Sequence, residues 1–159
     1  MALYFGKTKA CNGSGKKSEW KTYFDNGGKL WAFSDYKAKI TTLAPYLDFG
    51  DTADVTDFSH MFANNTALTT IPRLDMRKGT NFADMLLSCS ALTSFGGYGI
   101  AYSFDLSMAT NMEESALVNV FNNLAPVTET QTLTLGETLL KKTNQREKAI
   151  AIAKGWTLA

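Results

Sequence analysis

The sequence predicts an α/β protein: a short solenoid of stacked helix–loop–strand turns that share a parallel sheet, with a β element as its amino-terminal cap. Three observations lead there. The stretch "DVTDFSHMFANNTALTTIPRLDM" (54–76) returns in "GTNFADMLLSCSALTSFGG" (79–97) with an offset of 24, matching Phe58/Phe82, Met61/Met85, Ala67/Ala91, Leu68/Leu92 and Thr69/Thr93. A repeat of that length marks units that cannot bury their own apolar face and must stack on a neighbour. Apolar–polar–apolar triplets also recur, at Leu47-Asp48-Phe49, Leu74-Asp75-Met76, Phe104-Asp105-Leu106, Leu133-Thr134-Leu135 and Trp156-Thr157-Leu158. Such alternation suits a short strand buried on one face. Between the triplets, apolar residues fall at helical spacing.

Residues 1–38 do not scan as a repeat. "ALYFGKTKA" reads as a strand entering a turn at Gly6, "EWKTYF" (19–24) as a second strand, and "DNGG" (25–28) as a turn, since Asn-Gly tolerates positive φ. This segment is expected to cap the array, because the end of a stack would otherwise offer an unpaired strand edge. Residues 39–159 form the repeat region. "ITTLAPYLDF" (40–49) aligns with "LTTIPRLDM" (68–76) if Ala44 is an extra residue, which supplies a turn before the two clear copies.

Phe58, Met61 and Phe62 lie at i, i+3 and i+4, as do Phe82, Met85 and Leu86, and Leu117, Val120, Phe121 and Leu124 extend the pattern. The spacing predicts three helices with one buried stripe each, opened by caps at Asp54 or Thr56, Thr80 or Asn81, and Thr110 or Asn111. A last helix is expected to open at Thr143, ahead of Arg146 and Glu147, and to stop at Gly155. Leu74, Phe104 and Leu133 are expected on consecutive parallel strands. "GGYGIAY" (96–102) reads as a loop inserted on one rim, and its Tyr98 and Tyr102 are candidate contact residues, since exposed aromatic side chains anchor recognition.

Charge is ordered along the chain. Residues 1–39 hold eight lysines against three acids, 40–115 hold three basic residues against nine acids, and 116–159 hold five against three, leaving a net charge of +1. An acidic centre does not suit phosphate neutralisation, so no nucleic-acid partner is expected along the repeats. No apolar run approaches the roughly 18 residues of a membrane helix, and "AIAIA" (149–153) is the nearest. The opening "MALYFGKTKA" lacks the apolar stretch of a secretory signal, so the chain is expected to fold in the cytoplasm of its producer. Cys11 and Cys89 are far apart and show no CxxC pairing, so both read as ordinary thiols.

The residues do not assemble a catalytic or metal-binding constellation. "GSGKKSE" (13–19) lacks the first glycine and the Ser or Thr of a phosphate loop, with Ala10 and Lys17 in those places. His60 is the only histidine, and its counterpart in the next repeat is Asp84. Asp48, Asp51, Asp54 and Asp57 recur every third residue and miss the calcium-loop spacing. No cofactor is expected.

The phrase "VTDFSHMFANNTALTTIPRLDM" resembles the BspA-like leucine-rich repeats, whose units carry a "VTDMSxMFxxCxxLTxLDLS" pattern. Val55, Thr56, Asp57, Met61, Phe62, Leu68, Thr69, Leu74 and Asp75 match in order; Asn64 or Asn65 replaces the usual cysteine, and Cys89 keeps it. The resemblance implies a leucine-rich-repeat solenoid whose surface contacts proteins or glycans. The ends resemble tail-associated virion proteins of phages of Gram-positive bacteria: "ALYFGKTKA" at the start, and "LVNVFNNLAPVTETQTLTLGETLLKKTNQREKAIAIAKGWTLA" at the close. That implies a non-catalytic virion protein of tail, baseplate or fibre type, localised to the particle after assembly in the host cytoplasm. Its partners would be other virion proteins and a host-surface protein or glycan, within a homo-oligomer in a larger assembly. The alternative is an adhesin of the bacterial cell surface. The basic amino-terminal segment is the expected docking end, and the 96–102 loop the expected outer contact.

Overall fold

The computed structural model of the chain describes residues 52–159. The β element expected in 1–38, the triplet at 47–49 and the thiol of Cys11 lie outside the described residues. What is described is a mixed α/β fold with two short parallel sheets. Strand β1 (Thr70–Asp75) pairs with β2 (Ser94–Tyr98), and β3 (Phe104–Asp105) pairs with β4 (Gln131–Thr134), which pairs with β5 (Trp156–Leu158). Helices α1 (Glu114–Asn123), α2 (Gly136–Leu140) and α3 (Gln145–Ile152) fill the carboxyl-terminal part. No helix among the described residues is long and apolar enough to cross a membrane.

The two copies of the repeat lie one over the other. Phe58 and Phe82 stack with ring centroids 5.5 Å apart and planes 14° from parallel. Thr80 N–H donates to the Thr56 carbonyl and Thr93 N–H to that of Thr69, at 2.8 and 2.9 Å, so residues separated by the repeat length meet across the stack. Asp57 and Asn81 form a parallel bridge and play one local part: the side-chain oxygen of each accepts the amide two residues on, from Ser59 and Ala83. Each is an Asx turn, which fixes the chain as it leaves the bridge.

The helices expected at 58–62 and 82–86 are turns instead. In the first copy Met61, Ala63 and Asn65 donate to the carbonyls of Phe58, His60 and Phe62, three residues back. The alternate amides of Phe58, His60, Phe62 and Asn64 reach across to the carbonyls of Asn81, Ala83, Met85 and Leu87. Every second amide therefore serves the turn and every other one the stack, and none is left for an i−4 helical ladder. The left-handed backbone at His60 (φ 57°) and Asn64 (φ 65°), repeated at Asp84 (54°) and Ser88 (62°), makes the alternation and excludes a continuous right-handed helix. The expected caps of those two helices consequently cap nothing helical.

The apolar residues nonetheless point where the spacing places them. Phe58, Met61, Phe62, Phe82, Met85 and Leu86 are all buried. One continuous core runs from Val55 to Trp156, and Phe104 joins the two sheets within it, its ring 5.8 Å from Phe82 and 5.3 Å from Phe95. Helix α1 forms as expected and buries Leu117, Val120 and Phe121, although it opens after Glu113, not at Thr110 or Asn111. Helix α3 is capped by Asn144, one residue after the expected Thr143, in a reciprocal box with Glu147. Gly155 follows with φ 91°.

The strand order departs from the expectation in one place. Phe104 and Leu133 are paired neighbours, but Leu74 pairs with Gly97, so β2 occupies the place expected for the Phe104 strand. "GGY" is therefore strand and not inserted loop; the segment between β2 and β3 is 99–103. In the last strand pair Leu133 meets Leu158 and Gln131 meets Trp156.

Candidate contact surface

The structure separates the two candidate tyrosines. Tyr98 ends β2, half-buried, and the Arg73 guanidinium lies 4.1 Å above its ring centre. Its hydroxyl helps the Arg77 guanidinium hold the Asp75 carboxyl below the usual carboxylate range, Arg77 being the larger cause. Arg77 grips Asp75 with both Nε and Nη2, at 3.0 and 2.6 Å. Tyr98 thus belongs to a surface cluster with Arg73, Asp75 and Arg77, and one face of its ring is covered by Arg73.

Tyr102 is different. It lies in the segment between β2 and β3, is 45% exposed, and forms one wall of an open cleft of about 320 Å³ with Ala101, Pro126, Val127, Thr128, Glu129 and Gln131. Both walls are tied down by backbone hydrogen bonds. Gly99 N–H donates to the Asn123 carbonyl at 2.8 Å and Ala125 N–H to that of Ile100 at 2.9 Å, which joins the two loops at their base. The Trp156 indole N–H donates to the Ala125 carbonyl, and Val127 N–H to that of Lys154, both at 2.8 Å. Lys154 Nζ in turn donates to the carbonyls of Phe121, Asn122 and Leu124, filling the orphan acceptors at the end of α1. Burial pulls the Lys154 ammonium below its ordinary pKa.

The Gln131 side chain completes the floor. Its Oε1 accepts from the Ser103 amide at 2.7 Å and the Ser103 hydroxyl at 3.0 Å, while the hydroxyl oxygen accepts the Thr132 amide at 3.1 Å. Ser103 therefore fixes the amide orientation of Gln131 and links β4 to the Tyr102 loop. Of this lining the sequence singles out Tyr102 alone; Thr128, Glu129 and Gln131 sit nearly thirty residues further on and carry no local motif.

The other singled-out residues have ordinary surroundings. His60 Nδ1 lies 3.9 Å from Asp84 Oδ2, with both side chains about half exposed. Asp54 pairs with Lys78, 24 residues on, at 2.5 Å. Cys89 is buried and its thiol donates to the Phe62 carbonyl at 3.1 Å; burial pushes its pKa up to about 11, so it stays a thiol. Asn65 is its counterpart one repeat earlier, and Asn65 Nδ2 donates to the same carbonyl at 2.8 Å. Asn65 and Cys89 thus stand at corresponding places in the two copies, both acting as buried donors to one turn. Among the described residues no group of three or more His, Cys, Asp or Glu side chains could hold a metal ion. The chain matches no protein-family model, no curated protein and no solved structure.

Proposed function

We propose that the chain is a non-catalytic virion protein of tail, baseplate or fibre type, a short leucine-rich-repeat solenoid that serves as a structural or receptor-binding module. The observation that carries this reading is the register of one repeat on the next, in which Phe58 stacks on Phe82 and the amides of 58, 60, 62 and 64 donate to the carbonyls of 81, 83, 85 and 87. Turns joined this way lay an ordered surface beside a continuous core, which suits contact more than chemistry. The solvent-facing pair of His60 and Asp84 fits a surface role for the lone histidine. The virion assignment is supported by the resemblance of the two ends, and the closing stretch that carries it, 117–159, includes most of α1 and all of β4, α2, α3 and β5.

Mass spectrometry of particles purified from the producing cells tests the assignment. The chain is expected in them at a fixed ratio to the other structural proteins, and a version lacking residues 1–36 is expected to be lost from them while its repeats stay folded. Recovery from the cell surface with none in particles would contradict the reading and favour the bacterial adhesin.

A further inference from the structure

We infer that the Tyr102 cleft is a binding site for a neutral saccharide ring. Tyr102 would be the stacking face, and Glu129 and Gln131 would be the hydrogen-bonding pair. The inference deepens the contact-module reading above and rests on it only for its biological use.

The lining selects the ligand class. Tyr102, Pro126 and Val127 contribute apolar lining, while Thr128, Glu129 and Gln131 contribute polar lining. A sugar ring offers both kinds of surface, with C–H bonds on its faces and hydroxyls around its edge, and an amphipathic tyrosine suits such a mixed lining. Because Ser103 occupies the Gln131 carbonyl oxygen twice, the amide N–H groups remain as donors. Glu129, exposed, supplies carboxylate acceptors. Each sugar hydroxyl both donates and accepts, so a carboxylate and an amide lining one cleft can each engage ring hydroxyls. No Lys, Arg or His lines the cleft, so it offers an anionic group no cationic partner, and Glu129 would repel one.

The size and stiffness agree. A cleft of about 320 Å³ lies at the small end of ligand sites, enough for one or two rings and open enough to admit a ring within a longer chain. Loops usually lose affinity through the entropy of ordering on binding. Here both walls are already fixed by the Gly99–Asn123, Ile100–Ala125, Val127–Lys154 and Trp156–Ala125 hydrogen bonds, so little ordering remains. The covered ring of Tyr98 takes no part, which distinguishes the two tyrosines.

The test is a two-dimensional NMR titration of the full chain with the methyl glycosides of glucose, galactose, mannose and N-acetylglucosamine, and separately with choline chloride. At least one glycoside is expected to give saturable shifts centred on 101–103 and 126–131. Tyr102→Ala should weaken that binding by roughly tenfold or more, as loss of an aromatic anchor does, and Glu129→Gln should weaken it less. Tyr98→Ala should leave it unchanged. The inference is overturned if no glycoside shifts those residues in the folded protein, if Tyr102→Ala binds as well as the parent, or if choline alone binds. Sugar binding by a chain that is absent from particles would refute the virion assignment and leave the cleft standing; a particle-borne chain that binds no glycoside would do the reverse.

Discussion

Phe82→Ala is expected to destabilise the protein by about 3–5 kcal/mol, a large part of the roughly 5–15 kcal/mol by which domains are stable. The ring is 4% exposed and is the middle member of a chain of aromatic contacts, stacked on Phe58 on one side and edge-on to Phe104 on the other. Removing it leaves a cavity between Phe58 and Phe104, and the backbone cannot collapse onto it while the hydrogen bonds between the two repeats hold them in place. Urea unfolding followed by tryptophan fluorescence or circular dichroism would report the loss. A change below about 1 kcal/mol, within the range of a surface substitution, would show that the ring is not at the centre of the stack.

Gly155→Ala is expected to cost about 2–5 kcal/mol, for two separate reasons. The backbone φ of 91° is one that residues with a Cβ rarely adopt, and a Cβ built there would run into the Val127 carbonyl oxygen. Relief would have to come from the Val127 segment, which the Lys154 carbonyl holds through the Val127 amide, or from β5 itself. The same substitution should therefore disturb the Tyr102 cleft as well as stability. Thermal unfolding that matches the parent would mean that the α3–β5 junction is looser than its geometry.

Gly155 was legible in the sequence because a glycine after a capped, periodic run has one common use, ending a helix. The buried set was legible for a related reason. Burial follows spacing, and Phe58, Phe62, Phe82 and Leu86 are inside whether the chain between them is a helix or a string of turns. The kind of backbone was not legible from those residues. Spacings of three and four residues are shared by an α-helix and by successive turns, and what decides between them is the supply of carbonyls from the next repeat, which no single repeat reveals. In 114–123 the same spacing does give a helix, and there the run of apolar positions extends over two turns.

The "GGY" that ends β2 reads as loop for a different reason. Its glycines look like loop punctuation, but Gly96 lies so close to β1 that a Cβ would come within 2.6 Å of the Pro72 carbonyl, and close approach between strands is a second use of glycine. The cleft was half legible. Tyr102 stood out as an aromatic residue beside glycines, whereas Glu129 and Gln131 gain meaning only once Ser103 brings their segment against it.

The stacked register of the two repeats is the claim on which the fold and the proposed function both depend, and NMR scalar coupling across hydrogen bonds measures it directly. In a uniformly labelled sample, the amide nitrogens of Phe58, His60, Phe62 and Asn64 are expected to couple to the carbonyl carbons of Asn81, Ala83, Met85 and Leu87, respectively. Coupling of Phe62 nitrogen to the Phe58 carbonyl carbon instead, the signature of an α-helix, would contradict the account.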